Sequence, residues 1–434
     1  MTAGAVLRLK RGHDRPRAHP WIFKGDVADV SDVPPGTAVT VVDASARFVG
    51  RGFYNPRPAL CCRIITRRDE PLDGPFFRRR LEAALAFRAG LHGGSRSGPG
   101  SPGRDDREGH GGSRSAPGPP GRDERGGYGG PVLGPPSPTA GRLVWSEADS
   151  LPGLVVDRYG EVLAVQCQTL GMARVRHVLV AALRTLLGER PVLNADEAAP
   201  AALEGFTPAR GWLDRPGPDH LIVDEGSVRL RVSMVTGHKT GLYLDQAENR
   251  RHAGTLARGQ DVLDAFSYTA GFACHALGGG ARRAVCLESA PDALAGARDN
   301  VALNGVAGRA EIRAVNAFDE LRRLERAGER FGLVVLDPPP FARSRAALEA
   351  AGRGYKEINL RAMRLLAPGG HLMTFSCSHH VSPSLFEEIC RAAAVDAGVP
   401  LRVIDRLGQA SDHPVLLTVP ETRYLAGLLV QQAG

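Results

Sequence analysis

The chain has 434 residues, of which 43% are hydrophobic and 24% charged, with a formal net charge of +8; this suits a globular protein of two or three domains. No run approaches the ~18 apolar residues of a membrane span, and the N-terminus lacks the apolar core of a signal peptide, so a soluble cytoplasmic protein is expected. Seven cysteines without regular spacing argue against a disulfide framework, and no C-x-x-C or H-x-x-x-H pattern suggests a metal site.

The charge is uneven. Residues 1–92 hold 16 Lys and Arg against 9 Asp and Glu, and a basic module beside a nearly neutral one reads as a footprint for a polyanion. A basic surface with no partner is the plainer alternative. Within that region, VLRL, PWIF, TAVTVVD, RFVGRGFY and LCCRIIT between Val6 and Ile65 are short apolar runs broken by Gly and Pro, the pattern of a small all-β module. HPWIFKGDV mixes aromatic and basic residues as a nucleic-acid surface would, although Trp21 and Phe23 could equally be core. Residues 75–91 then read as a helix.

Residues 93–140 are dominated by Gly, Pro, Ser and Arg and carry a repeat: GGSRSGPGSPGRDDRE from Gly93 recurs as GGSRSAPGPPGRDERG from Gly111. Too few apolar residues are present to offset chain entropy, so the segment reads as a disordered insertion in a surface loop. Beyond it, LPGLVVDRYG with VLAVQCQTL predicts a hairpin, residues 173–187 an amphipathic helix, and LIVDEG with VRLRVSMV a second hairpin. Together these make a small ββαββ unit. TGHKTGLYLDQAENRR is either a ligand-facing edge or a capped helix start with Asp245 near the cap.

The stretch 261–305 organises the remainder. An apolar strand, 262–266, ends in a turn carrying Gly271; a helix follows over 272–277; a second strand, 284–287, ends at Glu288. This is a βαβα unit of a parallel sheet, and an acid one strand after such a turn can bond a ribose diol. AEIRAVNAFDEL predicts a third strand ending at Asn316. FGLVVLDPPPF delivers Asp337 and three prolines to a strand's carboxyl end, the side of an open α/β sheet on which ligands bind. Residues 348–366 predict a helix, HLMTFSCSHH a strand ending at Cys377, and SPSLFEEICRAAAVDAG a helix capped by Ser382 or Ser384. LRVIDRL and PVLLTV are expected to close the sheet as an antiparallel edge pair.

The order FSYTAGF, VCLESAPDAL, ARDNVALNG, VVLDPPPF and SCSHH resembles the class I S-adenosylmethionine-dependent methyltransferases. With HPWIFKGDV, GRGFYNP, SLPGLVVDRYG and HKTGLYLDQAENR, nearly the whole chain except residues 93–140 resembles the bacterial large-subunit ribosomal RNA cytosine-5 methyltransferases that carry an N-terminal PUA domain. The resemblance implies an α/β protein with a seven-stranded Rossmann-like sheet. Its domains would be a PUA-like RNA-binding domain at 1–75, a linking helix at 76–92, the insertion at 93–140, a central α+β domain at 141–235 and the methyltransferase domain at 236–434. It implies that S-adenosylmethionine lies with its methionine moiety against Asp264, Tyr268 and Gly271, its ribose on Glu288 and its adenine beside Asn316, Ala317 and Phe318. Tyr243, Asp245 and Gln246 match the family's cofactor-side edge, and Asp337 borders the same site. Two residues depart from the pattern: Asn316 stands where Asp is usual, and YTAGF replaces YTGGF, so Ala270 must accept a backbone conformation that glycine takes freely.

Carbon 5 of cytosine is a poor nucleophile, so its methylation is expected to be covalent: a thiolate adds to carbon 6, carbon 5 takes the methyl, and loss of its proton releases the thiol. Cys377 is the expected nucleophile and Asp337 the expected hydrogen-bond partner of the base. Cys167, Cys274, Cys286 and Cys390 lie in apolar patterns and read as packing. His379 and His380 are either proton carriers or solvent-facing loop residues. Arg11, Arg15, Arg17, Lys24 and Arg51 would supply phosphate contacts from the basic module, to a large-subunit ribosomal RNA whose target base must be unstacked. A homodimer is allowed for. Two alternatives stand beside this reading: a guanine-N7 methyltransferase on the same fold, which needs no cysteine, and a non-catalytic RNA-binding assembly factor.

Overall fold

A computed structural model describes residues 5–12, 19–93, 139–234, 240–342 and 345–433. Nearly all of the expected insertion lies outside these residues, as do Arg15 and Arg17. Among the described residues, no helix is long and apolar enough to cross a membrane.

The N-terminal module consists of β1 (Val6–Leu9), β2 (Trp21–Phe23), β3 (Val27–Val30), β4 (Thr37–Val42), β5 (Phe48–Tyr54) and β6 (Leu60–Thr66), in one sheet of order β2-β6-β5-β4-β1-β3. Alternation puts Leu7, Leu9, Val39, Val41 and Ile64 into its core. Trp21 is neither plain core nor free surface. Its indole nitrogen donates to Glu147 Oε1 at 2.8 Å and so ties this module to the next.

Helix α1 (Gly74–Gly93) leads to a five-stranded sheet of order β11-β10-β9-β8-β7. Its members are β7 (Ala140–Trp145), β8 (Leu154–Tyr159), β9 (Val162–Cys167), β10 (Val192–Ala195) and β11 (Arg210–Trp212), with α2 (Leu170–Arg174), α3 (Arg176–Leu187) and α4 (Ala198–Glu204) between them. Every residue of β9 is buried, because α1 and α3 cover one face and the rest of the molecule covers the other. The ββαββ grouping is therefore corrected. The first hairpin, β8–β9, is in this sheet, but β12 (His220–Glu225) and β13 (Val228–Ser233) form a separate ribbon. Val223, Val228, Leu230 and Val232 of that ribbon pack with the large C-terminal sheet, and Asn300 Oδ1 on that domain accepts from Arg231 N at 2.7 Å.

The C-terminal part runs α5 (Ala247–Leu256), β14 (Asp261–Ala265), α6 (Gly271–Gly278), β15 (Arg283–Glu288), α7 (Pro291–Leu303), β16 (Ala310–Ala314), α8 (Ala317–Arg326), β17 (Phe331–Leu336), α9 (Leu348–Arg364), β18 (Leu366–Ser376), α10 (Pro383–Ala397), β19 (Leu401–Leu407) and β20 (Ala426–Gln432). Its seven strands take the order β16-β15-β14-β17-β18-β20-β19; the first five are parallel, and β20 is antiparallel to both of its neighbours. Strand order reverses between β14 and β17, which opens a crevice at their carboxyl ends. In β17 all six residues are buried, alternating between two helix-covered cores: Leu333 and Val335 on one face, Val334 and Leu336 on the other. Ser382 caps α10 by accepting from Leu385 N.

The edge pair is corrected. The partner of β19 is AGLLVQQ, not PVLLTV. The latter lies between Pro414 and Pro420 and holds only an isolated bridge between Leu416 and Val419; proline at both ends removes ladder donors.

Candidate active site

Parallel register brings the ends of β14, β15, β17 and β18 to one rim. Ala265 pairs with both Leu287 and Leu336, and Leu336 with Thr374. Glu288, Asp337 and Cys377 follow on from these rows.

The turn after β14 is held in a strained form. Phe266, Tyr268 and Ala270 take φ of 63°, 48° and 58°, a left-handed region that costs an L-residue about 1–2 kcal/mol. Ala270 caps α6 in this conformation and is fully buried. Glu288 helps to hold the turn: its Oε2 accepts from Tyr268 N at 2.9 Å while Oε1 accepts from Ser289 N and Ala290 N at 2.7 and 2.9 Å, and Asn300 Nδ2 donates to the Thr269 carbonyl at 2.9 Å. A carboxylate has about four lone-pair sites, so one remains for a ligand at this half-exposed position.

Asp264 lies behind the turn, 0% exposed. Its Oδ2 accepts from Ala273 N at 3.0 Å, whereas Oδ1 has no hydrogen-bond partner among the described residues. Burial pushes its carboxyl up to about 7, with Asp337 and Glu288 adding to the shift. Under the same turn runs an ion triad that sequence reasoning missed. Arg250 Nε and Nη2 donate to the two Glu225 oxygens at 2.7 and 2.5 Å, and His275 Nε2 lies 3.0 Å from Glu225 Oε2. Burial raises the Glu225 carboxyl, but Arg250 and His275 outweigh it and hold it well below the usual range. Arg250 also donates to the Tyr243 carbonyl at 2.9 Å, and a β-carbon at Gly271 would meet Arg250 Cδ at 2.8 Å. Glycine is required there because the arginine is pinned.

On the near edge, Asp245 and Gln246 lie in a short 3-10 turn, Leu244–Gln246, that runs into α5. A helix does start here, but no side chain caps it, so the expected cap near Asp245 is not formed. The Tyr243 ring meets Tyr268 edge-on at 5.2 Å. Burial raises the Tyr243 phenol, with Tyr268, Asp337 and Cys377 adding to it. Asp245 Oδ2 accepts from Tyr424 OH at 2.7 Å, while the buried Gln246 Nε2 has no hydrogen-bond partner among the described residues. Behind Tyr243, Thr240 donates to Asp157, which also takes a bidentate pair from Arg142 at 2.8 and 2.9 Å. The central sheet thus braces the edge of the site. No local pattern announces these pairs, since their members are far apart in sequence.

On the far side of β15, Asn316 is the N-cap of α8. Strand β16 ends at Ala314, and the Asn316 amide oxygen accepts from Phe318 N at 2.9 Å. The strand is therefore two residues shorter than expected, and this oxygen already has a backbone partner. Ala317 is buried, and the Phe318 ring packs on Phe266 and Phe341 at 6.1 and 5.6 Å.

At the opposite lip, Cys377 alone among the seven cysteines is not buried, and its Sγ lies 3.8 Å from the carbonyl of Pro338, next to Asp337. Cys167, Cys274, Cys286 and Cys390 are buried, and burial pushes all four thiols up, Cys167 and Cys274 to about 12. His379 and His380 are exposed, and the His379 ring lies 5.9 Å from that of Tyr424. In the N-terminal module, Arg11 is exposed, Lys24 donates to the Arg57 carbonyl and Arg51 pairs with Asp69.

Residues 207–425 match the family model of the S-adenosylmethionine-dependent methyltransferases, and residues 2–67 match that of a PUA-like domain. A protein named ribosomal RNA large subunit methyltransferase I from Alteromonas mediterranea is 34% identical over 434 residues, covering 99% of each chain. Its namesake from Klebsiella pneumoniae is 35% identical over 427 residues, covering 97% of this chain and 96% of that one. A solved structure described as a SAM-dependent methyltransferase from Streptococcus mutans superposes with a TM-score of 0.77 at 17% identity, over 98% of this chain and 99% of the other. A methyltransferase complexed with SAH gives 0.75 at 17% identity over 96% of both chains.

Proposed function

The chain belongs to the S-adenosylmethionine-dependent methyltransferases and, within them, to the ribosomal RNA large subunit methyltransferase I family; on that ground we propose that it methylates carbon 5 of a cytosine in large-subunit ribosomal RNA through a Cys377 adduct. The observation that carries this reading is the half-exposed Cys377 thiol at the lip, against the loop that leaves Asp337.

The residues fit the cofactor. A cationic ammonium and sulfonium suit Glu288 and Asp337 at the rim with Asp264 behind them, and the unmet Asp264 Oδ1 and Gln246 Nε2 are an acceptor and a donor of the kind an amino-acid end requires. Glu288 would hold the ribose diol, with Tyr243, Asp245, Tyr268 and Gly271 along the methionine side and Asn316, Ala317 and Phe318 at the adenine. When bound, S-adenosylmethionine supplies an electrophilic methyl group. The Cys377 thiolate adds to carbon 6, and the electron pair displaced onto carbon 5 takes the methyl. Loss of the carbon-5 proton to a base then restores the double bond and expels the thiolate. Asp337 holds the base by a hydrogen bond, and the prolines after it fix the slot. Arg11, Lys24 and Arg51 would meet phosphates, with Arg15 and Arg17 of the same module. The place of work would be the cytoplasm, where the substrate is made.

Mass mapping of ribosomal RNA from a strain lacking the protein tests this. One 5-methylcytidine of the large subunit should disappear and return with the native gene but not with Cys377→Ala. Loss of 7-methylguanosine instead, restored by Cys377→Ala, would point to nitrogen methylation; no change in any nucleotide would point to a non-catalytic role.

A further inference from the structure

We propose that Tyr355 and Ser378 form a hydroxyl clamp that positions the Cys377 thiol against the Asp337 loop, an inference that rests on the covalent reading above. The sequence SCS alternates across the sheet. Met373, Phe375 and Cys377 pack toward one core, whereas Leu372 and Tyr355 belong to the other. Ser376 and Ser378 are each 1% exposed. Two buried hydroxyls thus flank one partly exposed thiol, an expensive choice for packing alone, because a buried hydroxyl must be satisfied.

The Ser378 hydroxyl has two partners, and its residue's amide has a third. It lies 3.1 Å from Tyr355 OH, it accepts from Ala342 N at 3.3 Å, and its own residue's amide donates to Ser376 Oγ at 3.4 Å. Ala342 lies on the segment that begins at Asp337. The loops after β17 and β18 are therefore joined twice: on one face through Ala342, Ser378 and Tyr355, on the other through Pro338 and Cys377. Between these two joints stand Pro338, Pro339 and Pro340, whose fixed φ makes the segment stiff, so a displacement at Ala342 is carried to Pro338. Tyr355 brings its hydroxyl from α9, and its ring is fixed independently by Phe341 at 4.5 Å and Phe386 at 5.6 Å. Burial raises the phenol, which stays protonated at working pH. Both residues act through the loop contacts just described. They are positioning residues, and a misplacement of about 1 Å at an attacking atom can cost on the order of 100-fold in rate.

The test uses full-length Tyr355→Phe, Ser378→Ala and the double variant, with Cys377→Ala alongside. Turnover is measured on ribosomal RNA, and adduct formation on RNA carrying 5-fluorocytidine, whose carbon-5 fluorine cannot leave as a proton does. Tyr355→Phe keeps the ring packing. Each single variant should lower kcat and the adduct rate about 10- to 100-fold, with KM for both substrates and calorimetric affinity for S-adenosylmethionine within about twofold of native. The double variant should be no slower than the slower single one, because both act through one contact. Single variants that turn over at the native rate, or losses that multiply in the double variant, overturn the clamp and leave the covalent reading intact. Cys377→Ala that methylates at the native rate overturns the covalent reading, and the clamp falls with it.

Discussion

On the β14–β15 side of the crevice, a turn with three residues at positive φ is tied through the Tyr268 amide to Glu288, which also gathers the amides of Ser289 and Ala290. On the β17–β18 side no described non-glycine residue takes positive φ, and position is set by prolines and by the Ser378 hydroxyl, met by that of Tyr355 from α9. The first side is rigid because its strain is balanced by a charge next to it in the fold; the second is rigid because distant elements lock together. The cofactor half should therefore respond to changes in charge and backbone, and the substrate half to single hydroxyl deletions that leave cofactor binding untouched.

The largest effect is expected from Glu288→Gln. An amide offers one acceptor oxygen, so its NH2 must face amides that formerly donated to the carboxylate, and a ribose acceptor is lost as well. S-adenosylmethionine affinity in calorimetry should fall by roughly 100-fold, about 3 kcal/mol. A fall under threefold would break the contrast between the two sides.

Asp264→Asn sharpens it by pH. The native carboxyl is raised from 3.8 to about 7 on folding, so the folded state binds the extra proton. Its contribution favours folding most below pH 3.8 and is lost as pH rises through about 7. Asn keeps an oxygen for Ala273 N without the charge. Denaturant melts should show the variant gaining on the native protein between about pH 4 and 7, by on the order of 1–3 kcal/mol, with the gain reduced when S-adenosylmethionine is present. A difference that does not change with pH would mean that Asp264 is not a strained buried acid.

The smallest effect is expected at Ala270. Glycine relieves about 1–2 kcal/mol of left-handed strain but adds about 0.5–1 kcal/mol of unfolded-state entropy, so Ala270→Gly should stabilise by roughly 0.5 kcal/mol and leave kcat unchanged. Destabilisation would show that the β-carbon earns more in packing than it costs in strain.

The acids and the thiol were legible because each ends an apolar strand, and period-2 burial in a parallel sheet delivers such residues to one rim whatever the rest of the chain does. Asp264, Glu288, Asp337 and Cys377 all come from that rule. The same rule misled at PVLLTV, where apolar content outweighed two flanking prolines, and at β12–β13, whose apolar faces say nothing about which sheet they cover. Arg250 with Glu225, and Tyr355 with Ser378, were out of reach for another reason. A buried polar residue looks like any surface residue until its partner is known, and these partners are 25 and 23 positions away.

The most direct measurement is intact-mass and peptide analysis of the protein incubated with S-adenosylmethionine and large-subunit RNA bearing 5-fluorocytidine. One methylated RNA fragment bonded to Cys377 is the expected result; methyl transfer to RNA with no bond to protein would contradict it.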